Sequence, residues 1–281
     1  MTIKLSDALN MVCQSDSGLV REHNEDAVTI DPDHGFAILA DGMGGYNAGE
    51  VASGMTVDIL SQGLRQALTH SEPHRVDSES GHPNALAMLD GQIQLANAAV
   101  YEAAQTQVQC AGMGTTLVAA LFYDNRLLVG HIGDSRLYRL RADRFEPLTR
   151  DHSLLQEQID AGLVDPTEAR FVDYKNLVTR ALGIEPLVEV ELNEYPVEVG
   201  DLYLMCSDGL NDMMRDGEIA DILVCYRSDL RQAAQELIHA ANDFGGRDNV
   251  SVILIDVRSA FPGGQKWMPR LFNWFGSGRT N

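Results

Sequence analysis

A mixed α+β fold is predicted from three features of the chain. Two helical patterns, Ala48–Leu68 and Ala85–Thr106, repeat apolar residues at three- and four-residue spacing. From Gly114 three strand-like runs follow one another, separated only by short turns. Four apolar strands adjoin an aspartate flanked by small residues, at Asp41, Asp134, Asp208 and Asp248.

Composition bounds the function before any motif is considered. The 281 residues suffice for one large domain or two small ones, and 44% apolar content allows a sizeable core. A formal net charge of −20 argues against nucleic acid held on a broad basic face. It would also repel an anionic substrate unless cations at the site reverse the local field. Cys13, Cys110, Cys206 and Cys225 are scattered with no C-x-x-C, which suits reduced thiols in a cytosolic protein better than disulfides or zinc. There is no signal-peptide pattern and no apolar run long enough to span a bilayer, so a soluble, cytoplasmic protein is expected.

In chain order, residues 1–9 read as a lead-in, Met11–Gln14 as a first strand and Ala27–Ile30 as a second. Between them lies the polar cluster Arg21-Glu22-His23-Asn24-Glu25-Asp26. It is either a solvated loop or part of a site, in which the fork of Arg21 suits a phosphate and Glu25 and Asp26 suit waters around a metal. Phe36–Ala40 is a short buried strand leading into Asp41-Gly42-Met43-Gly44-Gly45. An Asp-Gly pair commonly marks a hairpin, but a helix follows here rather than a second strand. Neither G-x-G-x-x-G nor a P-loop is present, which leaves a carboxylate at a strand end beside glycines that let backbone approach a ligand.

In the first long helix Val51, Met55, Ile59 and Leu60 are assigned to one face; in the second, Leu86, Leu89, Ile93, Ala96 and Val100. The intervening loop, Thr69–Asn84, carries His70, His74 and His82, read as solvated because no regular element fixes their geometry. Thr115–Tyr123, Arg126–Ile132 and Arg136–Leu140 are the three consecutive strands. Leu148–Arg180 has weak periodicity with a short helix at Ser153–Ala161, the character of a flap over a site, and Asp151-His152 is either functional or a capping and core pair. Strands are placed at Leu187–Leu192, Asp201–Cys206 and Val250–Val257, with helices at Gly217–Val224 and Leu230–Ala241.

Four aspartates at strand ends, without histidine or cysteine partners, favour Mg²⁺ or Mn²⁺ over zinc. Carboxylates in such number can hold two ions about 4 Å apart, the arrangement that hydrolyses phosphate esters. No catalytic triad or C-x₅-R motif competes with this reading.

The motifs Arg21-x-x-Asn24-Glu25-Asp26, Asp41-Gly42-Met43-Gly44-Gly45, Gly114-Thr115-Thr116, Gly133-Asp134-Ser135-Arg136, Ser207-Asp208-Gly209 and Asp248-Asn249 occur in that order. Together they resemble the bacterial metal-dependent protein phosphatases of the protein phosphatase 2C (PPM) family, over about Met11–Val257. The resemblance implies a four-layer αββα sandwich of two antiparallel sheets flanked by helices, as a catalytic domain over 1–257 with a flap at about 153–176. It implies a serine/threonine phosphoprotein phosphatase with two catalytic Mn²⁺ or Mg²⁺ ions and a third, weaker one. Asp41 would bridge the ions with the Gly42 carbonyl on one of them, Asp208 and Asp248 would complete a shell, and Glu25 would act through waters. Arg21 would bind the substrate phosphate, Asp26 would orient a site water or Arg21, and Asp134 with Asp208 would hold the third ion. A hydroxide bridging the metals would attack phosphorus in line. Met43 departs from the animal relatives, which carry a histidine there as general acid, so none is assigned. Substrates would be phosphoserine and phosphothreonine proteins, and a cognate serine/threonine kinase is the expected partner.

Residues 258–281 fall outside the resemblance. From Ala260 they hold Lys266, Arg270 and Arg279 and no acid, and Trp267, Leu271, Trp274 and Phe275 share one face of a helical pattern. This tail either docks on the protein's own acidic surface or anchors it at a membrane surface or partner. Two other functions stand beside this one: a phosphoprotein-binding module that has lost turnover, against which the four aspartates argue, and a phosphatase of small phosphate esters, which would use the same residues.

Overall fold

A computed structural model describes residues 4–44, 48–165 and 177–263. A short helix α1 (Leu5–Ala8) precedes strands β1 (Leu9–Asp16), β2 (Asp26–Asp31) and β3 (Phe36–Met43). Helices α2 (Ala48–His70) and α3 (Asn84–Thr106) follow, then β4 (Gly114–Thr115), β5 (Leu117–Tyr123), β6 (Arg126–Ile132), β7 (Arg136–Arg141) and β8 (Arg144–Pro147). The remainder is α4 (Leu154–Asp160), β9 (Glu191–Pro196), β10 (Leu202–Cys206), α5 (Asp208–Asn211), α6 (Asp216–Cys225), α7 (Leu230–Asp243) and β11 (Val250–Val257).

The strands form two antiparallel sheets, β1-β11-β10-β7-β8 and β2-β3-β5-β6-β9, with β4 paired to the end of β3. Side-chain alternation builds the layers. In β3, Phe36, Ile38 and Ala40 pack with Leu60 and Leu64 of α2 and Leu89 and Ile93 of α3, while Ala37 and Leu39 face the opposite sheet. In β10, Tyr203 and Met205 meet that inter-sheet core, and Leu204 and Cys206 pack against α6 and α7 through Ile219, Leu223, Ala233 and Leu237. β11 divides likewise, Ile253 and Ile255 inward, Val252 and Leu254 towards the helices. Central strands covered on both faces read as continuous apolar runs rather than alternating ones. The expected αββα sandwich is the fold observed.

Four details depart from expectation. The sequence gives no sign of β8, because Arg144–Pro147 carries charges and a proline; as an edge strand it is held by Arg139–Glu146 (2.5 Å) and by stacking of Phe145 on Tyr138 (4.8 Å). The strand expected at Leu187–Leu192 lies at Glu191–Pro196 instead, and Leu187 is exposed. The helix-facing side of α2 is Ala52, Thr56, Val57, Leu60 and Leu64, with small residues where α3 and the sheet approach, so Val51 points outward. The strand expected at Thr115–Tyr123 is broken at Thr116, whose backbone N–H donates to the Asp41 carbonyl (2.8 Å).

The ordered body also runs past Val257. Phe261 is buried against Phe122, and the N–H groups of Phe261 and Gly263 donate to Asn125 and Asp124 side chains (2.7 Å each). The helical pattern of Trp267–Phe275 and residues 166–176 of the expected flap lie outside the described residues. No described helix is long and apolar enough to cross a membrane.

Candidate active site

β3 delivers Asp41 to the edge of the sandwich on a segment whose preceding residues are locked in both cores. The Asp41 N–H donates to Thr116 Oγ1 (3.1 Å), and its carbonyl accepts from Thr115 Oγ1 and Thr116 N (2.8 Å each). Thr116 Oγ1 in turn lies 2.7 Å from Ser135 Oγ, next to Asp134 in the β6–β7 turn. Gly42 follows because nothing larger fits: a Cβ there would lie 2.1 Å from the Gly49 carbonyl oxygen and 2.6 Å from that of Glu25.

Asn249 ties the other walls together. Its Oδ1 accepts from the Glu25 N–H (2.8 Å), and its Nδ2 donates to the carbonyls of Ser17 (3.0 Å) and His23 (2.9 Å). Asp208 opens α5 just after β10, and Asp248 lies just before β11, so both are carried at strand ends of the five-stranded sheet. Arg21 Nη2 meets Asp248 Oδ2 at 2.6 Å.

These elements enclose a cleft of about 240 Å³ lined by Arg21, Glu25, Asp41, Gly42, Met43, Gly44, Thr116, Asp134, Val178, Asp208, Asp248 and Asn249. Seven of the eight expected site residues therefore share one cleft. The eighth, Asp26, lies behind it, paired across strands with Asp41. Asp26 Oδ2 accepts from Ser207 Oγ (2.8 Å), and its Oδ1 is buried without a donor. Among the described residues no histidine lines the cleft, so neither His131 nor His152 stands in for the histidine that Met43 replaces. Thr116, Ser207 and Asn249 are structural partners of the site that the sequence marked only as motif neighbours.

The electrostatics are those of crowded like charges. Burial, and then the charges of Asp26 and Asp208, push the Asp41 carboxyl well above its usual range. Burial and Asp134 do the same to Asp208. Asp134 is pushed up to about 7 by burial and Asp151, Asp26 to about 6 by burial, and Glu25 is raised by burial. A donor set of carboxylate and carbonyl oxygens and unmet negative charge together fit hard divalent cations. A different group, His131, His152 and Glu191, has ligand-type atoms within 4.8 Å of one another, but none of the three lines the cleft.

Comparison with known proteins agrees with this architecture. The family model described as protein phosphatase 2C matches residues 19–247. A serine/threonine phosphatase of Listeria welshimeri is 37% identical over 246 residues, 86% of this chain and 94% of that protein. The phosphatase PstP of Mycobacterium tuberculosis is 39% identical over 250 residues, 89% of this chain but 45% of that longer protein. A crystal structure of the same mycobacterial phosphatase superposes with a TM-score of 0.79 at 36% identity, covering 90% of this chain and all of that one. A structure of the PstP catalytic domain in complex with two manganese ions gives 0.76 at 37% identity, covering 90% and 99% of the two chains. Fold and cleft place the protein among phosphatases with a carboxylate-lined centre between two sheets. The chain belongs to the protein phosphatase 2C family.

Proposed function

We propose that this chain is a metal-dependent serine/threonine phosphoprotein phosphatase. The observation that carries the reading is the convergence of Glu25, Asp41, Asp134, Asp208 and Asp248 in one cleft with Arg21 at its rim. Asp41 and the Gly42 carbonyl, with Asp208 and Asp248, would hold two Mn²⁺ or Mg²⁺ ions, as a relative's catalytic domain holds two manganese ions. Asp134 with Asp208 would take a third, and Glu25 would orient waters. Two bound ions supply a water of lowered pKa and a clamp for phosphoryl oxygens.

The chain's own residues then bind and orient. Arg21, half exposed, presents a planar fork to the anionic phosphate, and that contact strengthens as charge spreads over the equatorial oxygens. Asp26, fixed by Ser207, sets the position of Asp41 from behind. Val178 and Met43 add apolar wall to the cleft. Met43 cannot donate a proton, so the leaving alkoxide takes its proton from solvent held in the cleft rather than from a side chain at that position.

The test is hydrolysis of a phosphothreonine peptide by chelator-treated protein with Mn²⁺ or Mg²⁺ added back. Restored turnover that is abolished in folded Asp41→Ala supports the reading. Turnover without added metal, or full activity in Asp41→Ala, refutes it. By the same reading its substrates are phosphoserine and phosphothreonine proteins, and a serine/threonine kinase opposes it. The basic, aromatic tail would hold it to an acidic membrane surface or a partner. Because Phe261 is part of the core, the tail is tested by truncation after Gly263, and equal liposome flotation with and without it refutes the membrane role.

A further inference from the structure

The turn that carries Asp134 is gripped from both sides by buried histidines. His131, in β6, lies three residues before Asp134, and its Nε2 is 3.0 Å from the Ser135 carbonyl oxygen. That oxygen only accepts, so Nε2 carries the proton. His152, ahead of α4, holds the other side at two points. Its backbone N–H donates to the Gly133 carbonyl (2.8 Å), and its Nδ1 accepts from the Gly133 N–H (3.1 Å). Gly133 has φ +104°, a conformation open to glycine at little cost, and a Cβ there would strike Thr116 at 2.7 Å. The two rings are 4.7 Å apart, and Asp151 fastens the far end of the turn through a bidentate pair with Arg136 (2.8 and 2.6 Å). The His152 carbonyl also accepts from the Thr179 N–H (2.8 Å), one residue beyond Val178 in the cleft wall.

A histidine pair with Glu191 is also a ligand set for a transition metal. Hydrogen bonding argues against that use here. With Nδ1 accepting from Gly133, neutral His152 carries its proton on Nε2, 3.2 Å from Glu191 Oε2, and so has no free lone pair to offer a metal.

We propose that His152 is a positioning residue that fixes Asp134 for cation binding by clamping both backbone polar groups of Gly133. The inference rests on the reading of Asp134 as an ion ligand. Supporting partners of ligating residues set metal affinity over roughly ten- to hundredfold ranges.

The test is a Mn²⁺ binding isotherm of the full chain, with amide exchange at Asp134 and Ser135, for His152→Asn, His152→Gln, Glu191→Gln and Asp134→Ala. Asn places Oδ1 where Nδ1 sits and keeps an acceptor for Gly133, whereas the longer Gln does not. His152→Asn is expected to bind Mn²⁺ and protect the turn as the wild type does. His152→Gln is expected to weaken the weakest Mn²⁺ event about tenfold or more and to speed exchange at the turn. Glu191→Gln should leave both unchanged. The proposal is overturned if folded His152→Gln matches the wild type, if His152→Asn is as impaired as His152→Gln, or if Zn²⁺ binds with a site lost in Glu191→Gln. If Asp134→Ala removes a binding event and His152→Gln does not, only the clamp falls. If Asp134→Ala leaves the isotherm intact, the ligand assignment falls and the clamp's purpose with it.

Discussion

Arg21→Ala separates substrate binding from metal binding more cleanly than any carboxylate change. Arg21 is 49% exposed and its partner Asp248 30%, so their 2.6 Å ion pair contributes at most about 1 kcal/mol to stability. Unfolding by urea should therefore shift little. The effect on the reaction is larger, because a charge-assisted contact to phosphate is worth about 1.5–3 kcal/mol. That predicts a fall in kcat/KM of about 10- to 150-fold on a phosphothreonine peptide. Metal affinity should move the other way. Arg21 is the one cation among the described residues lining a cleft that also holds Glu25, Asp41, Asp134, Asp208 and Asp248, so its removal leaves a more negative well. Manganese should bind Arg21→Ala at least as tightly as the wild type by calorimetry. Arg21→Lys should recover only part of the rate, since a point charge replaces a planar fork. A parallel loss of manganese affinity and turnover in Arg21→Ala, or an unchanged kcat/KM, would refute the assignment of Arg21 to phosphate.

Three further outcomes follow from the same geometry. Gly42→Ala drives a methyl into two carbonyl oxygens, and its urea midpoint should fall by an amount equivalent to about 3 kcal/mol or more, with activity lost alongside. Asp208→Ala should cut manganese-supported turnover about a hundredfold or more. Its chelator-treated form should melt no lower than the wild type, because burial and Asp134 already make that charge costly. His131 tests the pH dependence: burial and His152 hold its imidazole down at about 4, so between about pH 6.5 and pH 4 the unfolded chain binds the extra proton and stability falls with acid. Lowering the pH from about 7 to about 5 should cost the wild type about 2 kcal/mol more than His131→Asn in urea titrations, and equal slopes would show that His131 is not held neutral.

The legible parts of the sequence were those in which one local rule decides. β3, β10 and β11 are continuous apolar runs because both faces are covered, and the pattern locates α3 within a residue because Leu89, Ile93, Ala96 and Val100 are buried and Leu86 packs against the same core. Seven of the eight expected site residues meet in the cleft, and all but Arg21, which sits in the β1–β2 loop, lie at or beside a strand end, a position that registers itself once the strands pair. What was not legible depends on tertiary partners. β8 has no apolar pattern and exists through Glu146 and Phe145, whose partners Arg139 and Tyr138 lie on the neighbouring strand. The first turns of the buried face of α2 are Gly49, Ala52 and Thr56, small residues that allow close approach ahead of Leu60 and Leu64, so a search for large apolar residues picks Val51 instead. Asn249 gives no signal of its own, since an asparagine that bonds the β1–β2 loop at three points looks in sequence like one that makes a turn.

The cleft draws its acids from both sheets, and this explains why so much charge can be held so closely. Asp41 comes from β3 in one sheet, Asp208 and Asp248 from the ends of β10 and β11 in the other. Left to Coulomb forces the sheets would part at this edge, where Asp26 adds a further buried carboxylate. The neutral groups between them prevent it: Ser207 Oγ donates to Asp26 across the sheets, and Ser251 N–H donates to that same Ser207 oxygen. Leu39, Val118, Met205 and Ile253 fill the space behind in one shared core. Relieving the repulsion by opening the edge would expose that core at about 25 cal/mol per Å² of apolar surface, so the acids stay together and the repulsion is retained as affinity for cations. By the same argument a core substitution such as Leu39→Ala, whose side chain packs between the sheets and does not line the cleft, should weaken metal binding as well as stability, because the sheets can then relax apart.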